Sequence, residues 1–519
     1  MAAPGWFLER AERGNPATVL GRRHPNDSGW SEGNRVTPLV HGATYFAVLA
    51  AAVQAQRRGD LLLFTDWRGD PDESLGADGL DVSSLLCQAA SRGVVVRGLV
   101  WRSHMDRLRF SDRENRHLGE EIEAAGGVCL LDMRVRPGGS HHQKFVVLRH
   151  PDRPSLDVAF VGGIDLCHSR RDTSDHSGDP QAQPMAAVYG RRPPWHDIQL
   201  EVRGPAVGDI EASFRERWDD PSPLSRNPLR LLHDRLDGSD GGDRRLPAQL
   251  PDPAPAGGLA VQVLRTYPRR RPGYPFAPKG EHSVARGVAK AVSRARQLIY
   301  LEDQFLWSEE VASTFCDALV ARPDLRLVAV LPLHPDQDGA LSLPPNAVGR
   351  TRALRALRAA GGDRVGVFGV ENHEGTPVYV HAKVCVVDDT WASVGSDNIN
   401  RRSWTYDSEI SCAVTGDGPD GRSFAQGLRL QLAREHLDRA PGEDLDLLDS
   451  MSAFAAFSDS AAALDRWHRS GAQGPRPPGR LRVLHQAGGG EQPLWARALY
   501  AAVYDPDGRS WRQRRSNRF

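Results

Sequence analysis

The chain has 519 residues, of which 66 are basic and 66 acidic, so its formal net charge is zero. With 40% hydrophobic residues it is too apolar and too balanced in charge for wholesale disorder, and its length predicts two or more globular domains. The longest clean apolar run, Phe46–Val53, is far shorter than the roughly 20 residues of a membrane-spanning helix.

Two further features concern the cellular setting. Acidic and basic residues lie in Met1–Arg13, where a signal peptide would carry its apolar segment. The six cysteines show no paired spacing, so they indicate neither a zinc cluster nor a disulfide framework. The sequence therefore predicts a cytoplasmic protein that can also lie peripherally at a membrane, with no transmembrane segment.

The predicted elements of the first half begin with a helix and a strand. An apolar-faced helix at Thr44–Gly59 leads into the strand Leu61–Trp67. The strand Val94–Trp101 follows, and then a helix that ends in glycine at Ala124–Gly127, as helices commonly do. Short strands lead from there to the run His-His-Gln-Lys at 141–144.

The same order recurs about 235 residues later. The recurring elements are the helix Ser283–Arg296, the strands Gln297–Phe305 and Leu325–Leu331, a helix ending at Ala359–Gly362, and the run His-Ala-Lys at 381–383. Helices that alternate with strands predict an α/β fold. We therefore expect two similar α/β/α sandwich domains, related by internal duplication, with one shared active site at their interface.

Changes in composition suggest how the chain is divided. The segment Asp219–Gly258 is crowded with Pro, Gly and Asp and is typical of a linker. After about residue 440 the repeat fades into an Arg-rich tail broken by prolines. The predicted division is an N-terminal extension at 1–40, a first repeat at 41–220, a linker at 221–258, a second repeat at 259–440 and a C-terminal extension at 441–519.

Two His-x-Lys triplets occupy equivalent places in the repeat: His142 with Lys144, and His381 with Lys383. Only four of the 66 basic residues are lysines, and the triplets contain half of them. Residues i and i+2 of a strand point to one face, so each histidine projects together with its lysine. A single copy would be typical of the polar end of an ordinary strand, but a pseudo-twofold axis would bring this pair of copies into one site.

Two imidazoles and two ammonium groups suit phosphodiester chemistry. The lysines can neutralise the phosphate and the charge that develops in the transition state, without a metal. One neutral histidine can attack phosphorus, while the other, protonated, can donate a proton to the leaving alkoxide and then activate water. Both imidazoles titrate near neutral pH, so opposite protonation states are feasible. We expect no cofactor and no metal site in this protein.

The pattern His-x-Lys-x4-Asp followed by Gly-Ser-x-Asn resembles the phospholipase D superfamily, and the resemblance covers roughly residues 40–440. The first copy, HHQK followed by GGID, resembles the eukaryotic-type enzymes, but Arg149 stands where the motif has Asp. We expect this replacement to alter local structure and to leave catalysis intact, and a half-disabled first motif is the competing interpretation. The second copy matches completely at His381, Lys383, Asp388, Gly395, Ser396 and Asn398.

The resemblance implies a role for each site residue. His142 is the expected nucleophile and His381 the expected general acid. Each ring needs a partner for its other nitrogen, and the carboxylates expected there are Asp197 and Glu409, with Asp407 as the alternative in the second half. The expected catalytic set is His142, Lys144, His381, Lys383, Asn398, Asp197 and Glu409, and the expected substrate-binding residues are Asp165, Gly163 and Ser396.

Three other polar segments lie near the predicted site. The polar insertion at 168–195 has no counterpart in the second repeat, and loops of this length are uncommon unless functional, so we expect it to line the headgroup entrance. By strand alternation His141 is expected to point away from its neighbour. Glu302, Asp303 and Gln304 follow a buried strand, where substrate contact and structural capping are both open.

These features favour a phosphatidylcholine-type phospholipase D, with transphosphatidylation when an alcohol replaces water. The alternatives are a cardiolipin synthase-like phosphatidyltransferase, a phosphodiesterase or nuclease of the same superfamily, and a non-catalytic phospholipid-binding protein. The balanced charge disfavours a nucleic-acid partner, because phosphate contacts demand clustered positive charge. We expect a phospholipid substrate, peripheral contact with a membrane and a monomeric chain.

Overall fold

Two β-sheets carry the two halves of the molecule. A computed structural model describes residues 4–76, 79–103, 112–225, 245–418, 421–485, 492–515 and 519. Residues 226–244 of the predicted linker and 516–518 of the basic tail lie outside the described residues. The described strands are β1 Ser31–Val40, β2 Leu61–Asp66, β3 Val95–Trp101, β4 Val128–Asp132, β5 Phe145–Arg149, β6 Val158–Gly162, β7 Trp195–His196, β8 Ile198–Arg203, β9 Leu259–Tyr267, β10 Glu281–His282, β11 Leu298–Glu302, β12 Arg326–Val330, β13 Val365–Glu371, β14 Pro377–Val380, β15 Val384–Val387, β16 Trp391–Gly395, β17 Glu409–Thr415 and β18 Leu481–Val483.

The strand order is the same in both sheets. It is β1-β8-β6-β5-β2-β3-β4 in the first half and β9-β17-β16-β15-β11-β12-β13 in the second. In each sheet the last three strands run parallel and the other neighbours antiparallel. The edge strands β1 and β9 pair with each other. The internal duplication predicted from the repeated motifs is therefore confirmed.

Helices complete the α/β/α layers. One set packs on the outer face of each sheet, and the inner faces of both sheets enclose a shared apolar core with α5 and α10. The described helices are α1 Arg10–Arg13, α2 Gly42–Gln54, α3 Val82–Ser91, α4 Asp112–Ala124, α5 Ala206–Trp218, α6 Ser283–Val292, α7 Glu309–Ala321, α8 Leu343–Gly361, α9 Arg401–Thr405, α10 Phe424–His436, α11 Ser450–Arg469, α12 Leu494–Leu499 and α13 Trp511–Arg515.

Burial explains the residue types of the central strands. Every residue of β2 and of β15 is buried, because helices cover one face and the shared core covers the other. Some helices begin at capping side chains: Asp81 accepts a hydrogen bond from Ser84 N at 2.6 Å, and Ser423 accepts one from Gln426 N at 3.0 Å. The second cap fixes the start of α10, which reaches towards the candidate site.

One strand ends earlier than the sequence analysis predicted. The run predicted at Gln297–Phe305 forms β11 only as far as Glu302. The carboxylate of Asp303 accepts hydrogen bonds from the backbone N–H groups of Phe305 and Leu306, at 2.8 and 2.6 Å. An aspartate that binds the backbone two and three residues ahead makes a turn, and this turn ends the strand.

Candidate active site

Both His-x-Lys triplets lie at the start of a central strand, one before β5 and one before β15. The lysines are almost completely buried. The ammonium of Lys144 donates to the carbonyl oxygen of His142 at 3.1 Å and lies 3.5 Å from a carboxylate oxygen of Asp165. In the second half, Lys383 donates to the carbonyl oxygen of His381, and its ammonium lies 3.4 Å from Gln304 Oε1. Each histidine is thus accompanied by a fixed positive charge.

Each histidine is held by a carboxylate from the other half. Nδ1 of His142 lies 2.9 Å from Oε2 of Glu409, and Nδ1 of His381 lies 2.6 Å from Oδ2 of Asp197. This contact occupies Nδ1 in both rings, so Nε2 is the nitrogen left for chemistry. The crossed contacts join the two triplets into one cluster.

Backbone pairing between the halves produces these crossed contacts. β7 runs parallel to β14, and the N–H of His381 donates to the carbonyl oxygen of His196 at 2.8 Å. In the equivalent place, the N–H of His142 donates to the carbonyl oxygen of Ser408 at 2.9 Å. His196 and Ser408 each precede an orienting carboxylate by one residue, so the pairing delivers that carboxylate to the histidine of the other half.

The small residue after each central hairpin supports the carboxylate. A Cβ on Gly163 would lie 2.2 Å from Asp197 Oδ1, so only glycine leaves room for that carboxylate. At the equivalent place, the hydroxyl of Ser396 donates to Glu409 Oε2 at 2.5 Å. Both residues thus contact the carboxylates that hold the histidines, and their expected contact with substrate stays a prediction.

The two residues at the ends of these turns have different surroundings. Asp165 accepts from the backbone N–H groups of Trp67 and Arg68 at 3.3 and 3.4 Å, besides its contact with Lys144. Asn398 is buried, and its amide oxygen makes no hydrogen bond with any of the residues described. The amide oxygen of Asn398 can therefore still accept a hydrogen bond, for example from a water, whereas Asp165 holds the ammonium of the first triplet.

Burial lowers the pKa of both histidines. The pKa of His142 lies well below its ordinary value, first because of burial and then because of the ammonium of Lys144. The pKa of His381 is lowered to about 3, first by burial and then by Lys383. Both rings are therefore neutral near neutral pH in the free protein. A general acid in this site has to acquire its proton together with an anionic substrate.

The pKa values of the two orienting carboxyl groups are shifted in opposite directions. Burial works to raise the pKa of Asp197, but its contact with His381 and the nearby Lys383 outweigh burial and hold that pKa below its ordinary range. The pKa of Glu409 lies well above its ordinary value because of burial and then because of the Asp407 carboxylate. Asp197 is thus suited to stabilise an imidazolium, while Glu409 is suited to orient a neutral ring.

Aromatic rings border both histidines. The centroid of the Trp195 ring lies 4.9 Å from that of His381, and the guanidinium of Arg170 lies over the Trp195 ring, 4.1 Å from its centroid. The ring of Trp67 lies 6.2 Å from that of His142. Arg170 and Trp195 belong to the polar insertion, which therefore borders the second histidine. Strand alternation offered a signal for Trp195, which lies two residues before Asp197.

Several residues singled out from the sequence lie near the site but contact other groups. The carboxylate of Asp407 accepts from Ser140 N at 2.7 Å and pairs with Arg402, so it does not contact a histidine of either triplet in the described structure. The ring of His141 is buried and lies 3.3 Å from Gln143 Oε1. Glu302 binds other histidines, which are described below.

Arg149, which replaces the motif aspartate, lies at the far end of β5. It is buried, pairs with Asp157 at 2.8 Å, and also contacts the carboxylate of Glu211. In the second half, Asp388 instead accepts hydrogen bonds from Gln297 N and Leu298 N at 2.8 and 2.9 Å. Both residues tie down strand ends away from the triplets, which agrees with a structural role for this motif position.

Two family models match the chain, one in each half. Residues 72–235 match the model described as "Phospholipase D", and residues 311–429 match the model described as "Cardiolipin synthase, PLD-like domain". The first match contains His142 and Lys144, and the second contains His381 and Lys383. Each half thus carries one His-x-Lys triplet inside a matched domain.

Curated proteins and solved structures give concordant similarities. The chain is 26% identical to phospholipase D alpha 2 of Oryza sativa subsp. japonica in a match that covers 73% of the chain. It is also 26% identical to phospholipase D beta 2 of Arabidopsis thaliana, in a match that covers 76% of the chain. The matches cover 62% and 56% of those proteins, so the chain spans about 60% of their length. The fold resembles that of phosphatidylserine synthase from Haemophilus influenzae, with a TM-score of 0.51 at 11% identity, covering 84% of this chain and 93% of that one.

Proposed function

Because the chain belongs to the phospholipase D superfamily, we propose that it hydrolyses the distal phosphodiester bond of glycerophospholipids, releasing phosphatidic acid and the free headgroup. The observation that carries the proposal is the pair of crossed contacts, in which Glu409 holds His142 and Asp197 holds His381. Two oriented imidazoles beside two buried ammonium groups form a site for an anion that undergoes nucleophilic substitution.

In the first step His142 acts as the nucleophile. The Nδ1–H of His142 donates a hydrogen bond to Glu409, so the lone pair of the neutral ring resides on Nε2. This nitrogen attacks phosphorus. A P–N bond forms and the P–O bond to the headgroup breaks. His381 Nε2–H gives its proton to the departing oxygen, so the headgroup leaves as a neutral alcohol. The ionised Asp197 favours this protonated form of His381.

In the second step water completes the hydrolysis. His381, now neutral, accepts a proton from water while the water oxygen bonds to phosphorus. The P–N bond breaks, phosphatidic acid is released and His142 returns to its starting state. Lys144 and Lys383 offset the charge on the non-bridging oxygens through both steps, and we assign the amide N–H of Asn398 the role of donating to a phosphate oxygen.

A phosphatidyltransferase is the second candidate function. The second half matches the cardiolipin synthase-type domain model, and the same phosphohistidine could be taken up by an alcohol in place of water. The chemistry of both candidates is identical up to the covalent intermediate, so only the acceptor distinguishes them.

The proposed contact with membranes concerns the surface of the protein. Among the described residues, none of the helices combines the length and apolar composition that crossing a bilayer requires. Leu494, Trp495 and Trp511 near the C-terminus are exposed apolar side chains, at 81%, 44% and 62%. We include peripheral binding to the lipid surface in the proposal, with these side chains as its candidate contacts.

The proposed function is tested with phosphatidylcholine vesicles, with and without ethanol. We expect choline and phosphatidic acid without ethanol, and phosphatidylethanol when ethanol competes with water for the intermediate. Phosphatidyl transfer to glycerol or phosphatidylglycerol, with little hydrolysis, would favour the transferase instead. If the protein cleaves bis-nitrophenyl phosphate but forms no product from any of these lipids, it is a phosphodiesterase whose substrate is not one of these lipids.

The pH dependence of activity follows from Lys383. Its pKa is lowered to about 8, first by burial, so the ammonium is charged below that pH and neutral above it. We expect kcat/KM to fall as the pH rises through about 8, because the neutral amine no longer offsets the phosphate charge. The substrate for this profile is phosphatidylcholine, whose quaternary headgroup does not titrate. A constant kcat/KM up to pH 10 would contradict the assignment.

A further inference from the structure

Three buried histidines surround one carboxylate next to the candidate active site. We call His41, His176, His196 and Glu435 the histidine cluster. Nε2 of His41 lies 2.8 Å from one oxygen of Glu435, and Nε2 of His176 and Nδ1 of His196 lie 3.0 and 3.2 Å from the other. The four donor atoms all lie within 4.8 Å of one another. The three rings therefore direct nitrogens at one point.

The opposite nitrogens of two rings have their own partners. Nε2 of His196 lies 2.8 Å from Glu302, and Nδ1 of His176 lies 3.2 Å from the carbonyl oxygen of Trp195. When those nitrogens carry the protons, the nitrogens that face Glu435 hold lone pairs. Lone pairs directed at a carboxylate repel it unless a cation lies between them. Histidines that bind metals typically donate their other N–H to a carboxylate or a carbonyl in this way.

The carboxylates in and beside the histidine cluster also call for positive charge nearby. Glu302 is buried and Glu435 is partly buried, and the ion pairs they form within the described structure are with imidazoles, including His436 with Glu302 at 2.8 Å. Buried carboxylates are costly unless they are balanced by charge. These carboxylates need balancing positive charge, which either protonated imidazoles or one divalent cation could supply.

Two of the histidines have an unusual backbone conformation. His41 has a φ of 70° and His176 a φ of 53°, a region that residues other than glycine seldom adopt. Such a conformation persists where the surrounding structure imposes it. Both of these residues contact Glu435 through Nε2.

We propose that the histidine cluster binds one zinc-type divalent cation through His41, His176, His196 and Glu435. Three imidazoles and one carboxylate form the four-coordinate nitrogen and oxygen donor set that suits Zn²⁺. The ligand atoms need to shift by about an ångström to reach tetrahedral distances of about 2.0–2.2 Å from the ion. This site is separate from the His-x-Lys triplets, and it does not depend on the proposed phospholipase activity.

The cation would cross-link three parts of the fold. His41 precedes α2 of the first half, His176 lies in the polar insertion, and Glu435 lies on α10 of the second half. The carbonyl oxygen of His196 accepts the N–H of His381 at 2.8 Å. A cation held by the His196 ring would therefore also fix the backbone that positions the second triplet.

The test is the zinc content of the full chain, purified without a histidine tag and dialysed against zinc and then against metal-free buffer. We expect one zinc per chain, and a lower melting temperature after a strong chelator removes it. The substitutions His41→Gln and Glu435→Gln should weaken zinc affinity at least tenfold. The control His373→Gln, at an exposed histidine that pairs with Asp438, should retain one zinc.

Two results would overturn the site. In the first, wild-type protein holds no zinc after dialysis and has the same melting temperature in zinc and in chelator. The cluster would then be a hydrogen-bonded network of histidines and carboxylates and not a metal site. Zinc retained at full stoichiometry by folded His41→Gln and Glu435→Gln chains would place the ion elsewhere. The wild-type measurement decides the question even if a variant fails to fold, and neither outcome depends on the lipid assay.

Discussion

His142→Ala is expected to lower turnover of phosphatidylcholine by about 10⁴-fold or more, because no other group can form the covalent intermediate. His381→Ala should show a similar loss on this substrate, since a choline alkoxide leaves poorly without a proton. Turnover is measured as choline release at saturating lipid. Near-wild-type activity of either variant would contradict the shared site.

The leaving group separates the two roles. A phosphatidyl ester of p-nitrophenol needs no general acid, because nitrophenolate is stable as an anion. With it, His381→Ala should release one nitrophenolate per site and then stall, since the second step still needs a base. His142→Ala should release none. A burst from His142→Ala and none from His381→Ala would reverse the assignment.

The second large effect concerns the orienting carboxylates. Asp197→Asn should lower kcat by roughly 10²–10⁴-fold, because it removes the negative charge that stabilises the His381 imidazolium. Glu409→Gln should cost only about tenfold, because the raised pKa of Glu409 favours a neutral carboxyl group, which an amide can replace. Both kcat values are measured on phosphatidylcholine, with melting temperatures to check folding.

The difference between these two variants is the informative quantity. Asp438→Asn, which removes the charge of a carboxylate that pairs with His373 and Arg480 and contacts neither triplet in the described structure, is the control and should retain wild-type kcat. Equal losses from Asp197→Asn and Glu409→Gln would mean that the two carboxylates carry the same charge. A larger loss from Glu409→Gln would make His142 the general acid.

Local patterns were sufficient to predict the repeat and the two triplets. Helices and strands alternate in the same order twice, and the i, i+2 spacing places His142 with Lys144 and His381 with Lys383. The two matching sheets follow from that duplication. The end of β11 was missed, because the predicted strand was extended past the polar residues 302–304 to Phe305, whereas the side chain of Asp303 makes a turn there.

Long-range contacts could not be read from the sequence. His142 and Glu409 are 267 residues apart, and His381 and Asp197 are 184 apart, so no spacing reveals that each histidine takes its carboxylate from the other half. Aligning the repeats identified both carboxylates but not their partners. The histidine cluster was missed for the same reason, since its members extend from His41 to Glu435.

The central claim is that one site built by both halves transfers a phosphatidyl group through His142. The most direct measurement is mass spectrometry of His381→Ala protein mixed with phosphatidyl-p-nitrophenol, quenched in cold neutral denaturant because the P–N bond is acid-labile. We predict a phosphatidyl adduct on the peptide that contains His141 and His142, with fragmentation placing it on His142. An adduct on another residue, or nitrophenolate release without any adduct, would contradict the account.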